Sequence, residues 1–204
     1  MDSKPSFSSR AVKAVLLWLY RWKGWALEGE APRSPKALIL GAPHTSNWDF
    51  VFFLGATHDL GIRQRFMGKT SLFKWPLTRF MHDMGGVPIN RSASHNYVEQ
   101  VVAAFKAAQR DFHLVIAPEG TRGTIEKWRS GFYHIAHGAG VPIVPAWVDN
   151  INRRGGIGPE ISTTGDFLAD LKKIVDFYRS KMPDHPKLAK LYAMVETTKP
   201  EIGE

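Results

Sequence analysis

Residues 37–56 of the chain read ALILGAPHTSNWDFVFFLGA, and this stretch decides the fold. The apolar run at residues 37–40 is typical of a buried strand, and the second apolar segment, at residues 50–56, is typical of a helix. The residues between them include Ser, Thr and Asn, which are good N-cap residues for a helix. The pattern therefore predicts a strand, a tight turn and a helix, in that order.

The turn carries a histidine and an aspartate five residues apart, an HX4D pair formed by His44 and Asp49. Histidine suits proton abstraction near neutral pH, and a carboxylate that accepts its second ring N–H fixes the tautomer. Residues five apart on a regular helix point about 140° away from each other. The two side chains can therefore pair only if His44 lies in the turn and Asp49 in the first helical turn.

A second interpretation of the same residues stays open. Ser46 to Asp49 resemble a capping box with Asp in place of the usual Glu or Gln. In that case Asp49 only caps the helix and complements its dipole, and His44 is a loop histidine.

The composition indicates one domain and an anionic partner. The chain has 204 residues, 44% of them hydrophobic, which is enough for a single domain with a sizeable core. The absence of cysteine excludes disulfides, thiolate metal sites and a cysteine nucleophile. A formal net charge of +8 favours nucleic acid, an acidic membrane surface or a phosphorylated substrate.

The N-terminal segment favours a membrane surface among these anionic partners. Residues 11–27 place apolar side chains at helical spacing, and Lys13, Arg21 and Lys23 interrupt them. Their longest uncharged stretch, residues 14–20, is well short of the roughly 20 residues that span a bilayer. We predict an interfacial amphipathic helix within residues 1–30, and the alternative is an ordinary helix docked on the domain.

Later segments alternate strand and helix patterns. A glycine turn leads into a short strand ending at Arg91, and the strand at residues 112–117 runs into Pro118-Glu119-Gly120-Thr121-Arg122-Gly123. Strand ends are where α/β proteins build their sites, and such a turn can offer N–H groups and a guanidinium to a phosphate. The alternatives are a surface arginine and a plain exposed turn.

We expect an α/β fold with a central mixed, mostly parallel sheet wrapped by helices, plus the N-terminal amphipathic helix. Residues 36–150 are assigned to a catalytic core and residues 151–204 to a C-terminal helical extension, in which we identify no chemistry. All 204 residues are expected to form one domain.

Four features stand in order along the chain: His44 with Asp49, Arg91, residues 119–122, and the strand at residues 141–145. Together they resemble the four sequence blocks of the glycerolipid acyltransferase superfamily, typified by lysophosphatidate acyltransferases. The resemblance covers residues 44–146. It implies an O-acyltransferase that moves an acyl group from acyl-CoA or acyl carrier protein to a lysophospholipid hydroxyl, such as that of 1-acylglycerol-3-phosphate, giving phosphatidic acid.

The resemblance also implies roles for individual residues. His44 would remove the acceptor proton and Asp49 would orient His44, with no cofactor and no metal. An anionic membrane surface is an expected partner and nucleic acid is not, which implies a cytoplasmic protein on the inner face of the cytoplasmic membrane. The residues implied to hold the acceptor and its phosphate are Arg91, Glu119, Gly120, Thr121 and Arg122.

Three positions depart from the pattern of that superfamily, namely Asn90, Ala117 and Gly123. They lie beside the implied acceptor site, so the acceptor can differ while the reaction type stays the same. Other acceptors would be an ornithine-type lipid, a glycolipid or a polyketide-like product. A hypothesis of another class is a non-catalytic basic lipid- or nucleic-acid-binding module.

Overall fold

The computed structural model describes residues 5–89, 97–119 and 128–197. A mixed sheet of seven strands lies at its centre. The strands are β1 (Ala26–Glu28), β2 (Lys36–Gly41), β3 (Gln64–Lys69), β4 (Gly86–Ile89), β5 (Phe112–Ile116), β6 (Ile143–Asp149) and β7 (Arg154–Ile157). They lie in the order β1-β7-β6-β2-β5-β3-β4 across the sheet. Five neighbouring strands, from β6 to β4, run parallel, whereas β7 is antiparallel to β6 and β1 is parallel to β7.

Helices cover both faces of this sheet, which confirms the predicted fold class. They are α1 (Phe7–Lys23), α2 (Trp48–Asp59), α3 (Thr78–Asp83), α4 (Tyr97–Ala107), α5 (Gly131–Ala139), α6 (Phe167–Lys181) and α7 (Pro186–Thr197), with a 3-10 turn at Thr70–Phe73.

Strand β2 explains how the sheet is buried on both sides. Successive side chains of a strand point to opposite faces. Leu38 and Leu40 pack into the larger core with residues of α4, α5, α6 and α7, whereas Ala37 and Ile39 face the opposite side, where α1 and α2 lie. A parallel strand covered on both faces needs a continuous apolar run, which is why residues 37–40 do not alternate.

The N-terminal helix lies within the segment predicted for it, residues 1–30. It stops at Lys23, because Gly24 adopts φ 68° and its N–H bonds back to the carbonyls of Tyr20 and Arg21. Its inner face is docked on the domain, where Tyr20 packs against Phe52 of α2, and Trp25, just after the helix, packs against the same ring. Within residues 5–89, 97–119 and 128–197, none of the helices combines the length and apolar character that a bilayer crossing requires.

The sheet is also wider than the predicted core of residues 36–150. Strand β1 lies in the segment assigned to the N-terminal helix, and β7 lies in the segment assigned to a helical extension. A Cβ on Gly156 would stand 2.2 Å from the carbonyl oxygen of Glu28, and one on Gly155 would stand 2.4 Å from the Phe52 ring. The close approach of Glu28 and Phe52 to β7 leaves room only for glycine at these two positions. Because glycine is disfavoured in strands, the same two residues prevent a sequence pattern from indicating β7.

Candidate active site

The turn between β2 and α2 brings His44 and Asp49 together. His44 Nδ1 lies 2.9 Å from Asp49 Oδ2. This geometry is possible because His44 belongs to the turn and Asp49 to the first turn of α2. An Nδ1–H that donates to Asp49 leaves Nε2 as the basic ring nitrogen of a neutral imidazole.

Asp49 also receives hydrogen bonds from the main chain of the same turn. The N–H groups of Thr45 and Ser46 donate to its Oδ2 at 2.6 and 2.8 Å, and Asn150 Nδ2 donates to Oδ1 at 2.6 Å. The N-cap residue itself, Asn47, makes no capping bond with its side chain. Asp49 therefore organises the start of α2 and binds the histidine with the same carboxylate, so the two interpretations of the sequence describe one arrangement.

These donors determine the charge of Asp49. Burial by itself would raise the pKa of this carboxyl, but the bonds from His44, Ser46, Thr45 and Asn150 outweigh it. The pKa of Asp49 consequently lies below its usual value, since hydrogen bonds to the ionised form favour that form. Asp49 is thus an anion well suited to balance an imidazolium.

A second carboxylate, Glu119, follows β5 and reaches the main chain of His44. Its Oε2 accepts the main-chain N–H of His44 at 3.0 Å. Its Oε1 is buried and has no hydrogen-bond partner among the residues that the structure describes. Burial raises the pKa of Glu119, and the His44 N–H and the ammonium of Lys187 offset this only in part. Glu119 is therefore the less readily ionised of the two carboxyl groups.

Two residues of this site were not identified from the sequence. Asn150 follows β6, at the same sheet edge as His44 after β2 and Glu119 after β5, so the strand-end rule could have found it. Lys187 lies in α7, a segment in which no chemistry was identified. Its Nζ donates to the His44 carbonyl at 2.6 Å and lies 4.0 Å from Glu119 Oε2.

Other predicted site residues fall outside the part of the chain that the structure describes. These are Arg91, Gly120, Thr121 and Arg122, together with the departures Asn90 and Gly123. Their roles stay predictions. The same holds for the substrate-binding role of Glu119, although its position beside His44 is defined.

An apolar cavity of about 210 Å³ lies between α2 and the sheet, and His44 and Asp49 form part of its wall. Helix α2 is apolar along most of its length and packs against α1. Most of the cavity wall is hydrophobic and includes Ile39, Phe53, Phe66, Val115 and Ala146. A cavity of this kind accommodates a hydrocarbon chain better than a polar ligand.

In the described segments, no cluster of three or more His, Cys, Asp or Glu side chains could hold a metal ion. His137, one turn from His134, stacks on Tyr133, and its Nδ1 lies 3.1 Å from Thr163 Oγ1.

The fold and site together define an α/β protein with a histidine–aspartate pair beside an apolar cavity. A model of the Acyltransferase family matches residues 27–149, which is more than half of the chain. The chain belongs to this family, and the resemblance found in the sequence is confirmed at that level.

Individual relatives carry related names. Over 120 residues the chain is 29% identical to the 1-acyl-sn-glycerol-3-phosphate acyltransferases of Salmonella typhimurium and Salmonella typhi. That alignment covers 55% of this chain and 47% of each relative, so the chain spans about half the length of these curated relatives.

The crystal structure of the 1-acyl-sn-glycerophosphate (LPA) acyltransferase PlsC from Thermotoga maritima has the same fold. It aligns with a TM-score of 0.59 and 18% identity, over 85% of this chain and 77% of that one.

Proposed function

We propose that this protein transfers a fatty acyl group from acyl-CoA or acyl carrier protein to a hydroxyl of a lysophospholipid such as 1-acylglycerol-3-phosphate, giving phosphatidic acid. The observation that carries the proposal is the His44–Asp49 pair in the wall of the apolar cavity. The pair supplies a base for a hydroxyl, and the cavity supplies an environment for an acyl chain. Membership of the Acyltransferase family and the names of the Salmonella relatives support the same reaction.

In this reaction His44 Nε2 takes the proton of the acceptor hydroxyl while the hydroxyl oxygen attacks the thioester carbonyl carbon. The new C–O bond forms, the tetrahedral intermediate collapses, and the C–S bond breaks. The imidazolium then gives its proton to the departing thiolate. The products are an ester and a free thiol, and no covalent intermediate on the protein is required.

Asp49 contributes by stabilising the imidazolium that forms in this step. An anion 2.9 Å from Nδ1 favours the protonated ring, and the fixed N–H donors around Asp49 hold that anion in place. The base is thus oriented before the substrate arrives.

The apolar cavity is proposed to hold the acyl chain of the donor. Ala146 of β6 lies in its wall, so a larger side chain there would shorten the cavity. We expect Ala146→Leu to reduce kcat/KM about tenfold more for long-chain than for short-chain thioesters. Ala169→Leu on the exposed surface of α6 is the matched control. An unchanged chain-length profile in Ala146→Leu would contradict this assignment.

Arg91 and residues 119–122 are proposed to hold the acceptor and its phosphate, as the family resemblance implies. A guanidinium binds phosphate in a bidentate manner. Arg122→Ala should therefore raise KM for a phosphorylated acceptor more than KM for the thioester. An equal rise in KM for both substrates would contradict the role of Arg122 in binding the phosphate.

Peripheral association with the inner face of the cytoplasmic membrane is also proposed. The outer face of α1 combines exposed apolar side chains with exposed Arg10 and Arg21, a pattern typical of helices at an anionic bilayer surface. Trp75, 90% exposed, lies between the 3-10 turn and α3, and Ser6 N–H at the start of α1 donates to Asp83 of α3. The exposed apolar side chains of α1 are Phe7, Val12, Val15, Trp18 and Trp22.

Flotation with vesicles tests this association. The wild type should bind phosphatidylcholine vesicles that contain phosphatidylglycerol, and the Trp18→Ser/Trp22→Ser double variant should lose most of this binding. Leu168→Ser, which removes an exposed apolar side chain from α6, should leave binding unchanged. Undiminished binding of the double variant would contradict the role of α1.

The function itself is tested with donor and acceptor panels and mass spectrometry of the lipid products. We expect phosphatidic acid from lysophosphatidate with acyl-CoA or acyl carrier protein donors of at least one chain length. Product only from a lyso-ornithine lipid or a glycolipid would keep the chemistry and change the acceptor. Vesicle binding without any product from any pair would favour a non-catalytic lipid-binding module.

A further inference from the structure

Lysine 187 connects the C-terminal helix to the turn that carries His44. Its Nζ donates to the main-chain carbonyl of His44 at 2.6 Å and lies 4.0 Å from Glu119 Oε2. Its side chain is only 20% exposed. A lysine side chain that is largely withdrawn from water normally has a specific anionic or polar partner for its ammonium, and the His44 carbonyl and the Glu119 carboxylate both belong to the candidate site.

The main chain of His44 is therefore bound from two sides. Glu119 accepts its N–H and Lys187 donates to its C=O, while Asp49 binds its ring. Three contacts from three different segments fix the residue at its two peptide groups and at its imidazole. A base held in this way loses little freedom when it reaches the transition state.

Helix α7 is a firm support for this lysine. Leu188, the residue after Lys187, is fully buried, and Leu191 and Tyr192 are buried in the same core. The Tyr192 hydroxyl donates to the Met182 carbonyl at 3.0 Å, and Arg179 donates to the Tyr192 carbonyl at 3.1 Å. Because α7 is fixed by packing and hydrogen bonds, the position of the lysine backbone is fixed as well.

The charge of Glu119 depends on its surroundings. Its buried Oε1 has no hydrogen-bond partner in the described segments, and burial raises the pKa of the carboxyl. The nearby ammonium of Lys187 acts in the opposite direction. Among the described residues, the titratable groups that act on Glu119 or on its lysine partner are His44 and Asp49 from the β2–α2 turn, Tyr178 from α6, and His185 just before α7.

We propose that Lys187 is a positioning residue of the active site, which holds the His44 carbonyl and keeps the neighbouring Glu119 carboxylate as the acceptor of the His44 N–H. Through this residue the C-terminal helix sets the orientation of the base. The effect on rate rests on the proposed acyltransferase function, whereas the effect on Glu119 does not.

The first test follows the Glu119 carboxyl by ¹³C NMR during a pH titration, with its signal assigned from its absence in Glu119→Gln. Lys187→Met keeps most of the aliphatic side chain and removes the charge and the donors, so the titration midpoint of Glu119 should rise. Lys187→Arg should keep the midpoint close to that of the wild type. Lys190→Met, an exposed position one turn along α7, should not move it.

The second test compares acyl transfer by the same variants. Lys187→Met should lower kcat about tenfold and leave KM for both substrates within about twofold. Lys187→Arg should restore much of the rate. Circular dichroism and thermal melting identify any variant that fails to fold, and Lys187→Gln then provides a second neutral substitution.

Each outcome decides one question. An unchanged Glu119 titration midpoint in both neutral variants would overturn the inference. A fall in kcat of the same size in Lys190→Met would overturn it as well. A higher KM for the phosphorylated acceptor with unchanged kcat would make Lys187 a phosphate ligand and also overturn it. Absence of turnover in the wild type would contradict the proposed function, while the NMR titration would still decide whether Lys187 controls Glu119.

Discussion

Asp49 binds the ring of His44 and Glu119 binds its main-chain N–H, and the two carboxylates are held in opposite ways. Asp49 accepts bonds from a ring N–H, two main-chain N–H groups and an amide, and its pKa is lowered. Glu119 accepts one main-chain N–H, has one buried oxygen without a partner among the described residues, and its pKa is raised. The number of donors, rather than the depth of burial, decides which carboxylate serves as the anion of the histidine pair.

The sharpest test of this difference is Asp49→Asn. The amide keeps the shape of the side chain but carries no charge to balance an imidazolium. We expect kcat to fall by about 10²–10⁴-fold with little change in KM. Steady-state kinetics of acyl transfer measure this. A fall of less than threefold in a folded variant would show that the pair is structural.

Asn150 should have a smaller effect, because it acts on His44 only through Asp49. Asn150→Ala removes the 2.6 Å bond to Asp49 Oδ1, and we expect kcat to fall about tenfold. Asn152→Ala is the matched control, since its amide donates instead to the exposed carboxylate of Asp149 at 2.7 Å. Similar losses in both variants would indicate a general disturbance of the loop after β6.

Thermal stability should move in opposite directions when the two carboxylates are neutralised. The lowered pKa of Asp49 means that its anion stabilises the fold above its unfolded-state pKa, and this stabilisation is lost as the pH falls through the folded-state pKa. The pKa of Glu119 is raised, so the stabilisation from its protonated form is full below the unfolded-state pKa and is lost as the pH rises through the folded-state pKa.

At pH 8 we therefore expect Asp49→Asn to lower Tm by about 3–10 °C and Glu119→Gln to raise it by a smaller amount. The Glu119→Gln difference should shrink toward pH 4, whereas the Asp49→Asn difference should persist at pH 4 and shrink only at lower pH, where Asp49 itself becomes protonated. Melting curves at a series of pH values measure this. Shifts of the same sign at pH 8 would contradict the contrast between the two carboxylates.

The sequence predicts the part of the site that depends only on local structure, namely a strand, a turn and the start of a helix. The apolar run of β2, the turn and the start of α2 can be identified from residues 37–56, and the pairing of His44 with Asp49 follows from the placement of one in the turn and the other in the first helical turn. Asn150 could also have been predicted, because it follows a strand parallel to β2 and β5.

The remaining features depend on tertiary packing. A lysine in an amphipathic helix normally faces solvent, and nothing in the pattern of α7 indicates that Lys187 reaches the turn 143 residues earlier. Strand β7 has only four residues and includes two glycines, which carry no strand signal. The contact of Lys187 with the turn and the position of β7 both depend on how segments distant in sequence pack against each other.

The most direct test of the account is acceptor-dependent thiol release from an acyl thioester by the wild type, His44→Ala and His58→Ala. His58 is an exposed histidine near the end of α2 and serves as the matched control. We expect thiol release that requires the lysophospholipid, is abolished in His44→Ala and is unchanged in His58→Ala. Undiminished release in a folded His44→Ala variant would contradict the role of the histidine–aspartate pair.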